Sequence, residues 1–132
     1  MTLLTFVARW RGQICNFPGG AGGQCVDLAN QYLQDVWMAD PRRLNAVDWA
    51  GIALPGMAWV KNSPTNTPPA GSVVVWGPFA KEEIGEFGHI AVAVYGEVMQ
   101  LLSFDQNWPE GAPCSLVIHD YGGVLGWHQP AG

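Results

Sequence analysis

The stretch Gly88-His89-Ile90-Ala91-Val92-Ala93-Val94-Tyr95 decides how the rest of the chain is read. It is a run of β-branched and small residues headed by one histidine, and it reads as a strand. Successive side chains of a strand point to opposite faces. One face therefore carries His89, Ala91, Ala93 and Tyr95, and the other Ile90, Val92 and Val94. The Ala-lined face predicts close packing of a helix on the histidine's side. Ser72–Trp76 upstream and Val98–Asp105, Ser115–His119 and Val124–Trp127 downstream read as further strands, with Gly and Pro in each gap.

The first third of the chain has a different period. Leu3, Leu4, Phe6, Val7 and Trp10 recur at helical spacing over residues 3–11. Gln24–Met38 carries Val26, Leu28, Ala29, Tyr32, Leu33, Val36 and Trp37 as a core-facing stripe, and Asp40-Pro41 closes it. A further helical turn is expected at 45–50. Between the helices lies Asn16-Phe17-Pro18-Gly19-Gly20-Ala21-Gly22-Gly23, a glycine-rich loop. Helices first and an antiparallel sheet afterwards argue an α+β fold.

Composition narrows the function. The 132 residues suit one domain, expected to span 1–132. Only 13% are charged and 48% are hydrophobic, which excludes a disordered chain. Seven Trp, 17 Gly and 10 Pro predict a loop-rich domain with exposed or groove-lining aromatics. The net charge of −5 argues against nucleic acid as a partner and gives no pull toward anionic membranes or wall polymers. No apolar run is long enough for a membrane span, and residues 1–13 show no signal-peptide pattern. Cys15, Cys25 and Cys114 are odd in number and form no C-x-x-C pair, so at least one thiol is free or pairs outside the chain.

Cys25 falls in the first turn of the second helix, where free N–H groups and the helix dipole favour a thiolate. The glycine-rich loop before it lets a substrate backbone approach. A small core residue is the bland alternative for Cys25, and a strand-edge histidine the bland alternative for His89. Packed together, the two would form a nucleophile and its base. Asp105 and Asn107 share a face at the end of the following strand, and either could orient the imidazole. A three-residue turn at Gly96-Glu97-Val98, or a bulge, would set Asp105 opposite His89, and this register is predicted. His119 reads as a turn residue and His128 as a residue near the C-terminus. A zinc site from His89, His119 and a Cys or Asp is weighed and disfavoured, because no H-E-x-x-H or other ligand spacing supports it, and Glu82, Glu83 and Glu86 read as a solvated loop.

Taken in order, several motifs resemble the CHAP family, the cysteine- and histidine-dependent amidohydrolases and peptidases of bacterial and phage cell-wall lysis. The stretches are Gly23-Gln24-Cys25-Val26-Asp27-Leu28, Pro69-Ala70-Gly71-Ser72-Val73-Val74-Val75-Trp76, Gly88–Val94, Asp105-Gln106-Asn107-Trp108 and Gly126-Trp127-His128-Gln129-Pro130. Each is weak alone; five in order span roughly residues 3–130. The resemblance implies a papain-like α+β fold with N-terminal helices packed on a central antiparallel sheet. It implies Cys25 as nucleophile and His89 as general base, then acid. The third catalytic group is Asp105 or Asn107: the family often has Glu, one residue, then Asn, and here Asp105 stands at the Glu position while Asn107 matches. The oxyanion would be held by the Cys25 backbone N–H and the Gln24 side chain, with Trp108 and Trp76 as groove walls.

The substrate so implied is bacterial peptidoglycan, cleaved at an amide through a thioester. Some relatives bind calcium through several Asp before the cysteine. The loop Asn16–Gly22 has no carboxylate, so no cofactor or metal is expected, and Asp27 is expected to tie the loop down. Cys15 and Cys114 are expected to be structural and unbonded. A monomer is expected, acting at the cell wall, with any cell-wall-binding domain outside this chain. Without a signal peptide, a phage endolysin would wait in the cytoplasm until released. The rival readings are an NlpC/P60-like endopeptidase, whose nucleophile usually sits in Asp-Cys-Ser-Gly, an acyltransferase on the same fold, and a non-catalytic wall-binding module.

Overall fold

A computed structural model describes residues 1–131. Helix α1 (Leu3–Trp10) is capped by Thr2, whose hydroxyl accepts the Thr5 N–H, and it buries Phe6. Helix α2 (Cys25–Trp37) follows Gln24, whose N–H is held at 3.0 Å by the Asp27 carboxylate. The carboxylate also sits near the helix's positive end. Met38 ends α2 in the left-handed region (φ 50°). A 3-10 turn follows at Ala46–Trp49.

Among the described residues six strands build one antiparallel sheet: β1 (Met57–Lys61), β2 (Val73–Trp76), β3 (His89–Gly96), β4 (Leu101–Asp105), β5 (Ser115–His119) and β6 (Val124–Pro130), ordered β1-β6-β2-β3-β4-β5. The α+β class follows directly. The expected elements are present with shifted ends. Strand β1 is an addition: Met57–Lys61 is a short edge strand that pairs with β6 alone, and it has little apolar alternation to announce it.

The sheet is covered on both faces, so β2 is apolar and buried throughout. On one face Leu28, Ala29, Tyr32 and Leu33 of α2 pack with Phe6, Val73, Val75, Ile90, Val92 and Phe104. On the other, Val74, Trp76, Ala91, Ala93, Leu101, Val124 and Trp127 form a second core. This corrects the expectation that the helix lies on the Ala face. Ile90 and Val92 offer α2 more apolar area than alanines do. The small Ala91 and Ala93 instead leave room for Trp76 and Trp127.

The β3–β4 register is corrected as well. Val92 faces Phe104 and Ala93 faces Ser103, with an irregularity between Ala93 and Tyr95 and a connection at Glu97–Gln100. Continued by one position, this register sets Asp105 opposite Ala91, not opposite His89. The two residues share a face but meet diagonally, which is still within reach of long side chains. The tryptophans are also less exposed than expected: Trp49, Trp76 and Trp127 are buried, the other four are partly buried, and the exposed aromatics are Phe79, Phe87 and Tyr95.

Candidate active site

Cys25 opens α2 and His89 opens β3, and both line one cleft of about 520 Å³ at that end of the sheet. The cleft is bounded by Gln24, Val26, Asn45, Phe87 and Asn107, with Glu83 and Glu110 among its polar groups. Cys25 is partly buried, as a thiol open to a substrate must be. Gly88 sets the entry into β3 (φ 74°): a Cβ there would lie 2.5 Å from the Trp76 carbonyl oxygen, so only glycine brings the chain in so closely.

His89 stands between Asp105 and Cys25. Its Nε2–H donates to Asp105 Oδ2 at 2.8 Å, because an ionised carboxylate can only accept. That leaves Nδ1 for the Cys25 thiol, which lies close enough to the ring to favour its charged form. Burial works against the imidazolium, but the bond with Asp105 and the nearness of Cys25 outweigh it and push His89 up to about 9. Burial likewise works against the Asp105 carboxylate, yet His119 and His89 hold it below the usual carboxylate range. Asp105 is fully buried; Ser103 Oγ donates to its Oδ1, and His119 Nε2–H donates to Oδ2 at 2.9 Å.

The hydrogen bonds of the Asn107 side chain go to residues other than His89. Asn107 is left-handed in its backbone (φ 63°), its Oδ1 accepts the Gly111 N–H, and its Nδ2 donates to Gln24 Oε1 at 3.3 Å. Between them, Gln106 is fully buried and clamps three backbone groups. Its Oε1 accepts the Cys15 N–H, and its Nε2 donates to the carbonyls of Cys15 (2.9 Å) and Gln24 (2.8 Å). Three consecutive residues thus reach the histidine, the backbone before the cysteine, and the Gln24 side chain.

Trp76 cannot wall a groove. It is fully buried, with its ring 5.2 Å from His89 and 4.8 Å from His119. Trp108 is partly buried and packs on the same two imidazoles, at 4.8 and 4.7 Å, outside the lining of the cleft. Both tryptophans box the histidines in; Phe87 is the aromatic that the cleft exposes. Asp27 is buried, with Oδ2 on the Gln24 N–H and Oδ1 against Gly20. The three cysteines are free, with Cys15 and Cys114 buried and their thiols pushed up by that burial to about 12 and about 11.

The two histidine Nε2 atoms and Asp105 Oδ2 lie within 4.8 Å of one another. Their donor types would suit zinc, but the contacts at 2.8 and 2.9 Å are those of two N–H donors sharing one oxygen. Sequence reading gives Ser103 and Gln106 no role, and reads His119 as a turn residue or a member of a disfavoured zinc site. Strand alternation could have placed Ser103 on the face of Asp105. His119 had no such signal: it pairs with Leu101, four positions along β4 from Asp105, and meets that carboxylate only through its side chain.

Fold and site together define an α+β protein with a cysteine–histidine–carboxylate centre at a helix N-terminus. The chain belongs to the CHAP family: the CHAP domain pattern matches residues 16–107. The endolysin PlyTW of Staphylococcus phage Twort is 34% identical over 128 residues, covering 87% of this chain and 26% of that protein. The crystal structure of wild-type endolysin LysIME-EF1 superposes with a TM-score of 0.82 at 26% identity, covering 96% of this chain and 62% of that one. The Ly7917 structure shares the fold at a TM-score of 0.68 and 17% identity, with 96% and 60% covered. The chain therefore spans about a quarter of that phage relative and under two thirds of those solved chains. Among the described residues, no helix is long and apolar enough to cross a membrane.

Proposed function

We propose that this chain is the catalytic domain of a peptidoglycan hydrolase of the endolysin type, cleaving an amide bond of the bacterial cell wall through a thioester. The observation that carries the reading is the line Cys25–His89–Asp105, with the thiol in an open cleft and the carboxylate buried behind the imidazole. Similarity to phage endolysins supports the substrate class.

His89 Nδ1 takes the Cys25 proton, and the sulfur attacks the amide carbonyl carbon. The developing oxyanion is held by the Cys25 N–H at the start of α2 and by the Gln24 amide, which Asn107 steadies through Oε1. The His89 imidazolium then gives its proton to the leaving amine, and the C–N bond breaks to leave a thioester. Water, deprotonated by His89, attacks the thioester; the thiol leaves and the acid is released. Asp105 stays ionised throughout and fixes the ring by its Nε2–H. Glu83 and Glu110 give the cleft a negative rim with no Lys or Arg in its lining, which suits a wall-peptide segment bearing an ammonium group.

The test is digestion of purified peptidoglycan followed by mass spectrometry of the fragments. New amine and carboxyl ends that are absent with Cys25→Ala support the reading and identify the bond. Equal cleavage by Cys25→Ala overturns it.

A further inference from the structure

We propose that His119 is a positioning residue for His89, acting through Asp105: its Nε2–H shares the carboxylate oxygen that His89 uses and so limits how strongly that oxygen stabilises the imidazolium. This rests on the reading of Cys25 and His89 as the catalytic pair.

The geometry that points to it is an asymmetric sharing of acceptors. Asp105 takes Ser103 on Oδ1 and both histidines on Oδ2, at 2.8 Å for His89 and 2.9 Å for His119. All four residues are buried, so water cannot replace a missing donor. The titratable and charged groups facing His119 are Asp105 on β4 and His89 on β3, with Asp120 beside it paired to Lys81 at 3.0 Å. The rings of Trp76 and Trp108 lie 4.8 and 4.7 Å away. They pack on the His119 imidazole, whose Nε2 meets Asp105.

A carboxylate oxygen with two donors carries less available charge for each than an oxygen with one. Without His119, Asp105 would accept the His89 Nε2–H bond more strongly and stabilise the imidazolium further. The Nδ1 proton must leave that imidazolium for the amine in the first half of the reaction, so the added stabilisation slows acylation. His119 therefore keeps His89 basic enough to take the thiol proton and acidic enough to return it.

The test uses His119→Phe, which keeps an aromatic ring between the tryptophans but has no donor, and His119→Gln, whose amide N–H can stand where Nε2–H stood. Ser103→Ala removes the other donor on Asp105 with little change of volume. The readout is the pH dependence of Cys25 alkylation by iodoacetamide, which reports the thiol–imidazole pair whatever the substrate, beside kcat and KM on peptidoglycan. With His119→Phe, the upper inflection of the alkylation profile should move up by about half to one pH unit. Its kcat should fall about tenfold with KM little changed. His119→Gln should restore both, and Ser103→Ala should shift the inflection in the same direction. An unmoved or lowered inflection in soluble His119→Phe overturns the proposal; if that variant does not fold, an unmoved inflection in Ser103→Ala overturns it. Failure of the wild type to cut peptidoglycan would sink the proposed function, while the alkylation profile would still decide the role of His119.

Discussion

Gln106 Nε2 donates to the carbonyl of Gln24 at 2.8 Å, so the residue after the histidine's carboxylate is bonded to the residue before the cysteine. Nucleophile and base sit on different elements, and this side chain couples them across the core. Replacing it with Leu keeps the bulk but strips partners from the buried Cys15 N–H and carbonyl, while the Gln24 carbonyl keeps the Asp27 N–H. Each unpaired buried group costs about 1–3 kcal/mol. Gln106→Leu should lower stability by about 3 kcal/mol in urea unfolding, and wall lysis should fall more than the folded fraction does. A variant as stable and active as the parent would remove the clamp from the account.

Asp105 and Asn107 separate cleanly by substitution. Asp105→Asn puts a neutral amide against His89 Nε2 and removes the charge that stabilises the imidazolium; kcat should fall by about a thousandfold. Asn107→Ala loses only the 3.3 Å bond to Gln24 and a turn contact, and should cost less than about tenfold. Steady-state kinetics on peptidoglycan would read both, and the reverse order would transfer the orienting role to Asn107.

Native alkylation should mark one thiol. Cys25 lines the cleft, while Cys15 and Cys114 are buried, with their thiols held protonated at about 12 and about 11. Iodoacetamide at neutral pH should add a single group to the folded protein and three after denaturation, as counted by mass spectrometry. The single adduct should lie on Cys25 and abolish activity.

Stability should depend on pH in a set direction. The folded-state value of His89 is raised from 6.5 to about 9, so its contribution is complete below about pH 6.5 and disappears as pH rises through about 9. Above that, the unfolded chain loses protons from Cys15 and Cys114 before the folded one does, and stability falls further. Asp105 acts on the acid side: its value is lowered, so its contribution is present above the ordinary carboxylate range and is lost as pH falls through the folded value. Tm should be higher at pH 6 than at pH 9.5, and His89→Gln should flatten the decline between pH 6.5 and 9. A wild-type Tm that is constant over that interval contradicts the ion pairing of His89.

Net charge gives a further expectation. With −5 overall and Glu83 and Glu110 on the cleft, anionic wall polymers should repel the chain. Lysis of intact walls should rise as salt goes from about 10 to 150 mM, because screening shortens the reach of that repulsion. A fall over the same range would mean that attraction, not repulsion, governs encounter.

By itself the amino-acid order determined the α+β class and nearly every element, because periodicity and glycine or proline punctuation are local. It also placed Cys25 at a helix start and His89 at a strand start, and so brought both into consideration as a pair. The tertiary structure decided what depends on register and packing. The connection at Glu97–Gln100 and an irregularity in β3 together set Asp105 opposite Ala91, two positions from His89, and side-chain volume sent α2 to the Ile90 face. Asp105, not Asn107, reached the imidazole because the left-handed turn at Asn107 swings its side chain to Gln24. His119 joined the cluster through a contact between strands that no local pattern encodes. Hydrogen bonds between residues distant in sequence depend on sub-ångström placement, and only the assembled sheet supplies it.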